Sequence, residues 1–209
     1  MAVEHYFTNQ PAGPFERIPT TVELRGWQVS VFSAPGVFSA GELDAGTDLL
    51  LRKAPPPSAT GNLLDLGCGW GPVALTLAHL APDATVWAVD VNTRALELTT
   101  ENAANLGLRN ITVLLPQDVP PELRFHTIWS NPPIRIGKAA LHELLTFWLS
   151  KLHDDGEAWL VVNRNLGGDS LRNWLENECS VKVIAEKVAS SKGFRILRVR
   201  RALGGAAPR

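Results

Sequence analysis

Asn131, Pro132 and Pro133, in the stretch SNPPIRIGK at 130–138, set a side-chain amide beside two residues that have no backbone N–H. They follow directly on an apolar, strand-like run at 125–129. Proline neither continues a helix nor donates to a sheet, so the triplet is a rigid segment whose carbonyl groups no regular element claims. It is either a strand terminator or a fixed set of acceptors aimed at a substrate. Such acceptors suit an –NH₂ group. The nitrogen of an aryl amine or an amide is a poor nucleophile because its lone pair is conjugated. Accepting both of its N–H bonds holds it towards pyramidal geometry, with the lone pair aimed at an electrophile. A sulfonium methyl group is the matching electrophile, and its displacement in line needs no strong general base.

The elements that would position this segment are legible from residue 62 onward. NLLDLG, TVWAVD, NITVLL, FHTIWS and EAWLVVN read as buried strands, with helical patterns at 72–81, 93–107, 139–152 and 169–178 between and after them. VKVIAEKVA and SKGFRILRVRR read as a closing hairpin turned at Ser-Lys-Gly. Alternation of strand and helix predicts a parallel α/β sheet with right-handed crossovers, and the hairpin adds one antiparallel strand. Upstream, residues 1–20 read as an irregular arm. TVELRGWQVSVF reads as a hairpin about Arg25 and Gly26, and a short helix is expected near 44–53. APPPSATG then breaks the chain, which divides it into an arm, hairpin and lead-in helix at 1–57 and the α/β domain at 58–209.

Between the first of these strands and its helix lies DLGCGWGP, with Gly67, Gly69 and Gly71. Glycines here let the backbone turn tightly and let a ligand approach a helix N-terminus. The dinucleotide pattern is G-x-G-x-x-G, whereas this one is G-x-G-x-G with Pro72 at the helix start. A nucleoside carrying an amino-acid tail fits better than a pyrophosphate. Asp90 closes the second strand, where a carboxylate accepts from both hydroxyls of a ribose. Loop and acid alone leave S-adenosylmethionine and NAD open. Hydride chemistry usually adds a His or Tyr acid. Tyr6 is the only tyrosine, and the five histidines show no metal-ligand spacing, so they read as surface or core residues with no metal expected. Together with the Asn-Pro-Pro segment, this favours methyl transfer.

The chain has 209 residues, 45% hydrophobic and 20% charged, enough for one sizeable core. No run approaches the roughly 20 apolar residues of a membrane helix. The start lacks a basic and apolar leader pattern, and the two cysteines stand in unrelated contexts, so a cytoplasmic location is expected, with no membrane partner. Net charge is −1, which excludes a globally basic nucleic-acid binder. From Val181 onward, however, eight Lys or Arg face one acidic residue. That reads either as a solvated tail or as a phosphate-facing edge. Arg135, Lys138, Arg164, Lys192 and Arg195 are the cations at predicted loop or strand ends.

LLDLGCGWGPVALTLA, WAVDVNTRALELTTENAANLG, SNPPI, AWLVVNRNLGGDSL and SKGFRILRVRR together resemble the methyltransferase small family over 61–201. PGVFSAGELDAGTDLLL is similar to the lead-in of its members. The best-known of these methylate the exocyclic amine of guanine in ribosomal RNA. The resemblance implies a seven-stranded class I sheet, S-adenosylmethionine as cofactor, and ribosomal RNA or the small ribosomal subunit as partner. It places Asp65, Gly67, Cys68, Gly69 and Gly71 around the methionine end and Asp90 on the ribose. Val91 would flank the adenine and Asp118 meet its amino group, with Phe38 and Asp44 closing over the cofactor. Asn131, Pro132 and Pro133 would hold the target amine, with Ile134 in the fourth motif position. Cys68, inside the cofactor loop, is not read as a nucleophile. Two departures stand out. The fourth position is normally an aromatic that stacks on the base, worth roughly 1–3 kcal/mol; a guanidinium plane at Arg135 is the available substitute. The enterobacterial members also carry two such domains, and this chain shows one. A protein glutamine or other amine as acceptor, and a catalytically idle cofactor-binding module associated with RNA, remain alternatives.

Overall fold

The computed structural model describes residues 15–133, 136–164 and 168–202. Strands β1 (Ile18–Leu24) and β2 (Trp27–Ser33) form an antiparallel hairpin whose turn residues Arg25 and Gly26 both have positive φ. Helix α1 (Ala45–Lys53) follows, with Asp44 as its N-cap rather than its first residue. The main sheet then alternates strand and helix: β3 (Thr60–Leu66), α2 (Pro72–Leu80), β4 (Asp83–Val89), α3 (Thr93–Asn105) and β5 (Ile111–Leu114). After a short 3₁₀ turn at Pro116–Asp118 come β6 (Phe125–Ser130), α4 (Lys138–Ser150), β7 (Leu152–Asn163), α5 (Gly168–Asn177), β8 (Val183–Ser191) and β9 (Phe194–Arg201).

Seven strands pair in the order β5-β4-β3-β6-β7-β9-β8. The pairs from β5 to β7 are parallel, and β9 runs antiparallel to both β7 and β8. β9 is thus the one reversed strand, as the closing hairpin implied. β7 is longer than its apolar run suggests. It starts at Leu152, pairs with Phe125, and passes through an irregularity before Glu157 pairs with Thr127. The polar HDDG stretch resembles a turn in sequence, yet it is spliced into the strand.

The buried faces explain the strand alternation. Leu63, Trp129, Trp159 and Val161 point to one side, where α1, α2, α3 and the β1–β2 hairpin cover them. Leu64, Ile128, Leu160 and Val162 point to the other side, under α4 and α5. Residues before and after position 58 therefore share one core. A buried Asn102 on α3 welds the hairpin in place: its amide bonds both backbone groups of Phe32 and the carbonyl of Trp70. Among the described residues, no helix is long and apolar enough to cross a membrane.

Candidate active site

The carboxyl ends of β3, β4 and β6 lie side by side, which is where open α/β sheets bind ligands. A recess opens there, lined by Phe38, Ser39, Asp44, Thr47, Asp65, Gly67, Cys68, Gly69, Trp70, Pro72, Val73 and Asn131. The glycine loop forms its floor. Gly67 and Gly69 have φ of 80° and 57°, and a Cβ added to either would meet no protein atom within 4 Å. These two backbones therefore face open space. Gly71 serves differently: a Cβ there would stand 3.0 Å from Thr99 Oγ1, so its bareness lets α2 approach α3. Pro72 opens α2 at its first turn, as its fixed φ favours.

Two acids frame the loop. Asp65 is buried at the end of β3, and its carboxylate accepts the Ala74 N–H at 2.8 Å, capping α2. Burial lifts its pKa to about 8, against the lowering effect of that hydrogen bond. Asp90 follows β4. Its Oδ2 accepts from Gly69 N at 3.0 Å and its Oδ1 from Asn92 N at 2.9 Å. Burial raises its pKa as well, and these N–H bonds oppose the rise. Burial and the neighbouring acids push the Cys68 thiol far up, which keeps it an unreactive thiol. Asn92 also donates to the Gly36 carbonyl at 2.7 Å, and Gly41 N donates to Ser33 Oγ. The lead-in loop bearing Phe38 is thereby held against the cavity.

Asn131 receives the most specific positioning. Ser130 Oγ, buried beneath it, donates to the Leu66 carbonyl and ties the ends of β6 and β3 together. Asn131 Nδ2 then donates to Asp44 Oδ2 at 2.8 Å and to Thr47 Oγ1 at 3.1 Å. Asp44 Oδ2 is already the N-cap of α1, accepting from Thr47 N at 2.9 Å. A carboxylate only accepts, so it dictates which end of the amide faces it. The amide nitrogen is turned to α1, and the side-chain oxygen accepts no hydrogen bond among the described residues. Not every carbonyl of the triplet is unclaimed, contrary to the sequence expectation: Pro133 O accepts from Ile136 N at 3.2 Å.

The remaining expected residues fall into groups. Val91 and Asp118 lie farther along the same edge, after β4 and β5, outside the cavity lining. Lys138 is exposed at the first turn of α4. Arg164, Lys192 and Arg195 meet at one corner, where Arg164 N donates to the Gly193 carbonyl at 2.7 Å and Arg195 pairs across to Val162. Ile134 and Arg135 lie outside the described residues. Five of the eight cations from Val181 onward fall into two groups. Arg198, Arg200 and Arg201 pair with Glu157, Glu186 and Asp154 along the strands, while Lys192 and Arg195 stand at the carboxyl edge. Ser39, Thr47 and Val73 line the cavity without having been singled out. Thr47 was findable as the third residue after an N-capping Asp44, but nothing local connects it to Asn131.

A family model described as the methyltransferase small domain matches residues 28–198. The uncharacterized protein YbxB of Bacillus subtilis is 33% identical over 201 residues, which cover 95% of this chain and 98% of that one. Ribosomal RNA small subunit methyltransferase C of Aeromonas hydrophila is 36% identical over 142 residues, but these cover only 40% of its length. Among solved structures, the 16S rRNA N2 G1207 methyltransferase of Thermus thermophilus, in complex with AdoMet and guanosine, aligns with a TM-score of 0.76 and 25% identity. The alignment covers 90% of this chain and 52% of that chain, so the present chain spans about half the length of such relatives. With that family model matching 28–198 and the seven-stranded sheet in this order, the chain belongs to the methyltransferase small-domain family and has the class I methyltransferase fold.

Proposed function

We propose that this protein transfers a methyl group from S-adenosylmethionine to the exocyclic amine of a nucleobase, guanine N2 of ribosomal RNA, within or outside the small subunit. One observation carries the reading: the Asn131 amide is locked nitrogen-inward on Asp44 and Thr47, beside the glycine loop. The Asn131 side-chain oxygen and the Pro132 carbonyl then accept the two N–H bonds of the target amine. This holds its nitrogen in a pyramidal, lone-pair-forward geometry without any side chain acting as a strong base.

The open backbone at Gly67 and Gly69 fits a ligand with an amino-acid tail, and a cationic amine on that tail would draw Asp65 to its carboxylate form against the burial that raises its pKa. Asp65, Gly67, Cys68 and Gly69 would hold that tail, Gly71 would set the helix behind it, and Asp90 would hold the ribose. Val91 and Asp118 would meet the adenine, with Phe38 closing over it. Bound there, S-adenosylmethionine supplies a sulfonium-activated methyl group. Lys138, Arg164, Lys192 and Arg195, along the same edge, would meet RNA phosphates, and the guanidinium of Arg135 would stack on the base in place of an aromatic at Ile134.

The test is transfer of labelled methyl to naked ribosomal RNA, assembled small subunits and total cell protein, with Asn131→Ala as control. Label in RNA or subunits, lost in the variant while cofactor still binds, supports the reading. Label in protein would reassign the acceptor to an amide. Label in RNA that survives in Asn131→Ala would remove the role given to that residue.

A further inference from the structure

At the opposite end of β6 from Asn131, about five residues and so roughly 16 Å away along the strand, a second group of residues converges. The irregularity between β6 and β7 sets one residue of β6, His126, against four residues of β7, 153–156. Bulges of this kind re-aim side chains. Two glycines make it possible. A Cβ on Gly156 would stand 2.7 Å from the Phe125 carbonyl oxygen, and a Cβ on Gly61 would stand 2.5 Å from His126 Nδ1. The bulge stacks His153 on His126, with ring centroids 4.5 Å apart, and brings Asp155 to the same point. One ligand atom from each of His126, His153 and Asp155 lies within 4.8 Å of the other two. The group borders an open recess of about 610 Å³ beneath the Pro55, Pro56 and Pro57 linker. Two residues that line it, His126 and Trp129, each carry a buried nitrogen, Nδ1 and Nε1, without a hydrogen-bond partner among the described residues.

We propose that His126, His153 and Asp155 form a binding site for a divalent first-row transition metal, with zinc as its probe. Two imidazoles and a carboxylate are the donor set such ions prefer, while calcium and magnesium favour oxygen ligands. Bonds of about 2.0–2.2 Å to each ligand require ligand atoms closer together than 4.8 Å. His153 and Asp155 are exposed, so rotation of their side chains closes that difference without moving the strands. The three ligands leave positions open toward solvent and the recess. A bound ion would staple the bulge where a surface His153–Asp155 pair now stands. The site draws on none of the residues assigned to methyl transfer and holds whatever the methyl acceptor proves to be.

The experiment is calorimetric titration of zinc into tag-free, chelator-stripped protein, repeated for His153→Ala, Asp155→Ala and His142→Ala, with magnesium in parallel. One-to-one zinc binding, weakened tenfold or more in each of the first two variants, unchanged in His142→Ala and absent with magnesium, is the expected result. Thermal unfolding of the metal-free variants confirms that they fold, and zinc should raise the midpoint of the wild type and of His142→Ala but not of His153→Ala or Asp155→Ala. Absence of stoichiometric binding at 100-fold excess over micromolar protein would overturn the proposal. So would binding that the His153 and Asp155 substitutions leave intact.

Discussion

Replacing Asp44 with alanine separates the positioning of Asn131 from its chemistry. Asp44 Oδ2 accepts from Thr47 N at 2.9 Å, from Thr47 Oγ1 at 3.4 Å and from Asn131 Nδ2 at 2.8 Å. Losing the helix cap costs about 1 kcal/mol of stability. The lost bond to the carboxylate contributes about 1.5–3 kcal/mol more, because one partner is charged. The same 1.5–3 kcal/mol is the bias that keeps the amide oxygen outward. Without Asp44, the Thr47 hydroxyl no longer donates to it and turns to the Asn131 oxygen, drawing the acceptor away from the substrate. At about 1.4 kcal/mol per factor of ten, kcat should fall ten- to a hundredfold in Asp44→Ala. Cofactor affinity should stay within about threefold. Asp44→Asn keeps an oxygen for both Thr47 N and the Asn131 amide, so it should recover most of the rate. The assay is single-turnover methyl transfer to the acceptor identified by labelling, with cofactor binding measured separately by calorimetry. A kcat within threefold of wild type in Asp44→Ala would refute the clamp. A loss confined to cofactor affinity would recast Asp44 as a wall of the cofactor site.

Three further outcomes are expected. Asp65, whose pKa stands near 8 against an ordinary 3.8, keeps in the folded state a proton that the unfolded chain has released above pH 4. Its stabilising contribution is therefore complete at low pH and lost as pH rises towards 8, by at most about 1.4 kcal/mol per pH unit. Thermal unfolding of wild type and Asp65→Asn from pH 5 to 8 should accordingly converge or cross as the wild type weakens, and parallel curves would contradict the assignment. Asn102→Leu strips partners from three backbone groups buried around Phe32 and Trp70 and should cost on the order of 3 kcal/mol or more in denaturant unfolding. A cost under 1 kcal/mol would mean that those groups find other partners. Asp90→Ala should weaken cofactor binding at least tenfold by calorimetry, and an unchanged affinity would remove it from the ribose site.

Much of this molecule is written locally. The runs at 62–66, 85–89 and 125–130 are apolar and short, and the glycines and prolines that end them are punctuation that any α/β chain must use, so a parallel sheet with right-handed crossovers and a ligand-binding edge at the strand ends follow from topological rules, whereas the strand order is read from the fold. DLGCGWG, Asp90 and Asn131 with its two prolines announce themselves because their chemistry needs particular residues at fixed spacing along one loop or strand end. Contacts between distant segments have no such spacing. Nothing near Asn131 reveals that residues 84 and 87 positions upstream, Thr47 and Asp44, set the direction of its amide. Nor does the sequence show that the Pro133 carbonyl accepts from Ile136 N, or that three C-terminal arginines are neutralised along the strands while Lys192 and Arg195 reach the edge. His126 and His153 read as scattered histidines because they stand 27 positions apart, and only the bulge allowed by Gly156 stacks them. Periodicity and backbone stereochemistry act within a few residues and are therefore legible in a line of letters. Amide orientation, ion pairing and strand register are decided by which neighbours the folded chain brings within about 3 Å.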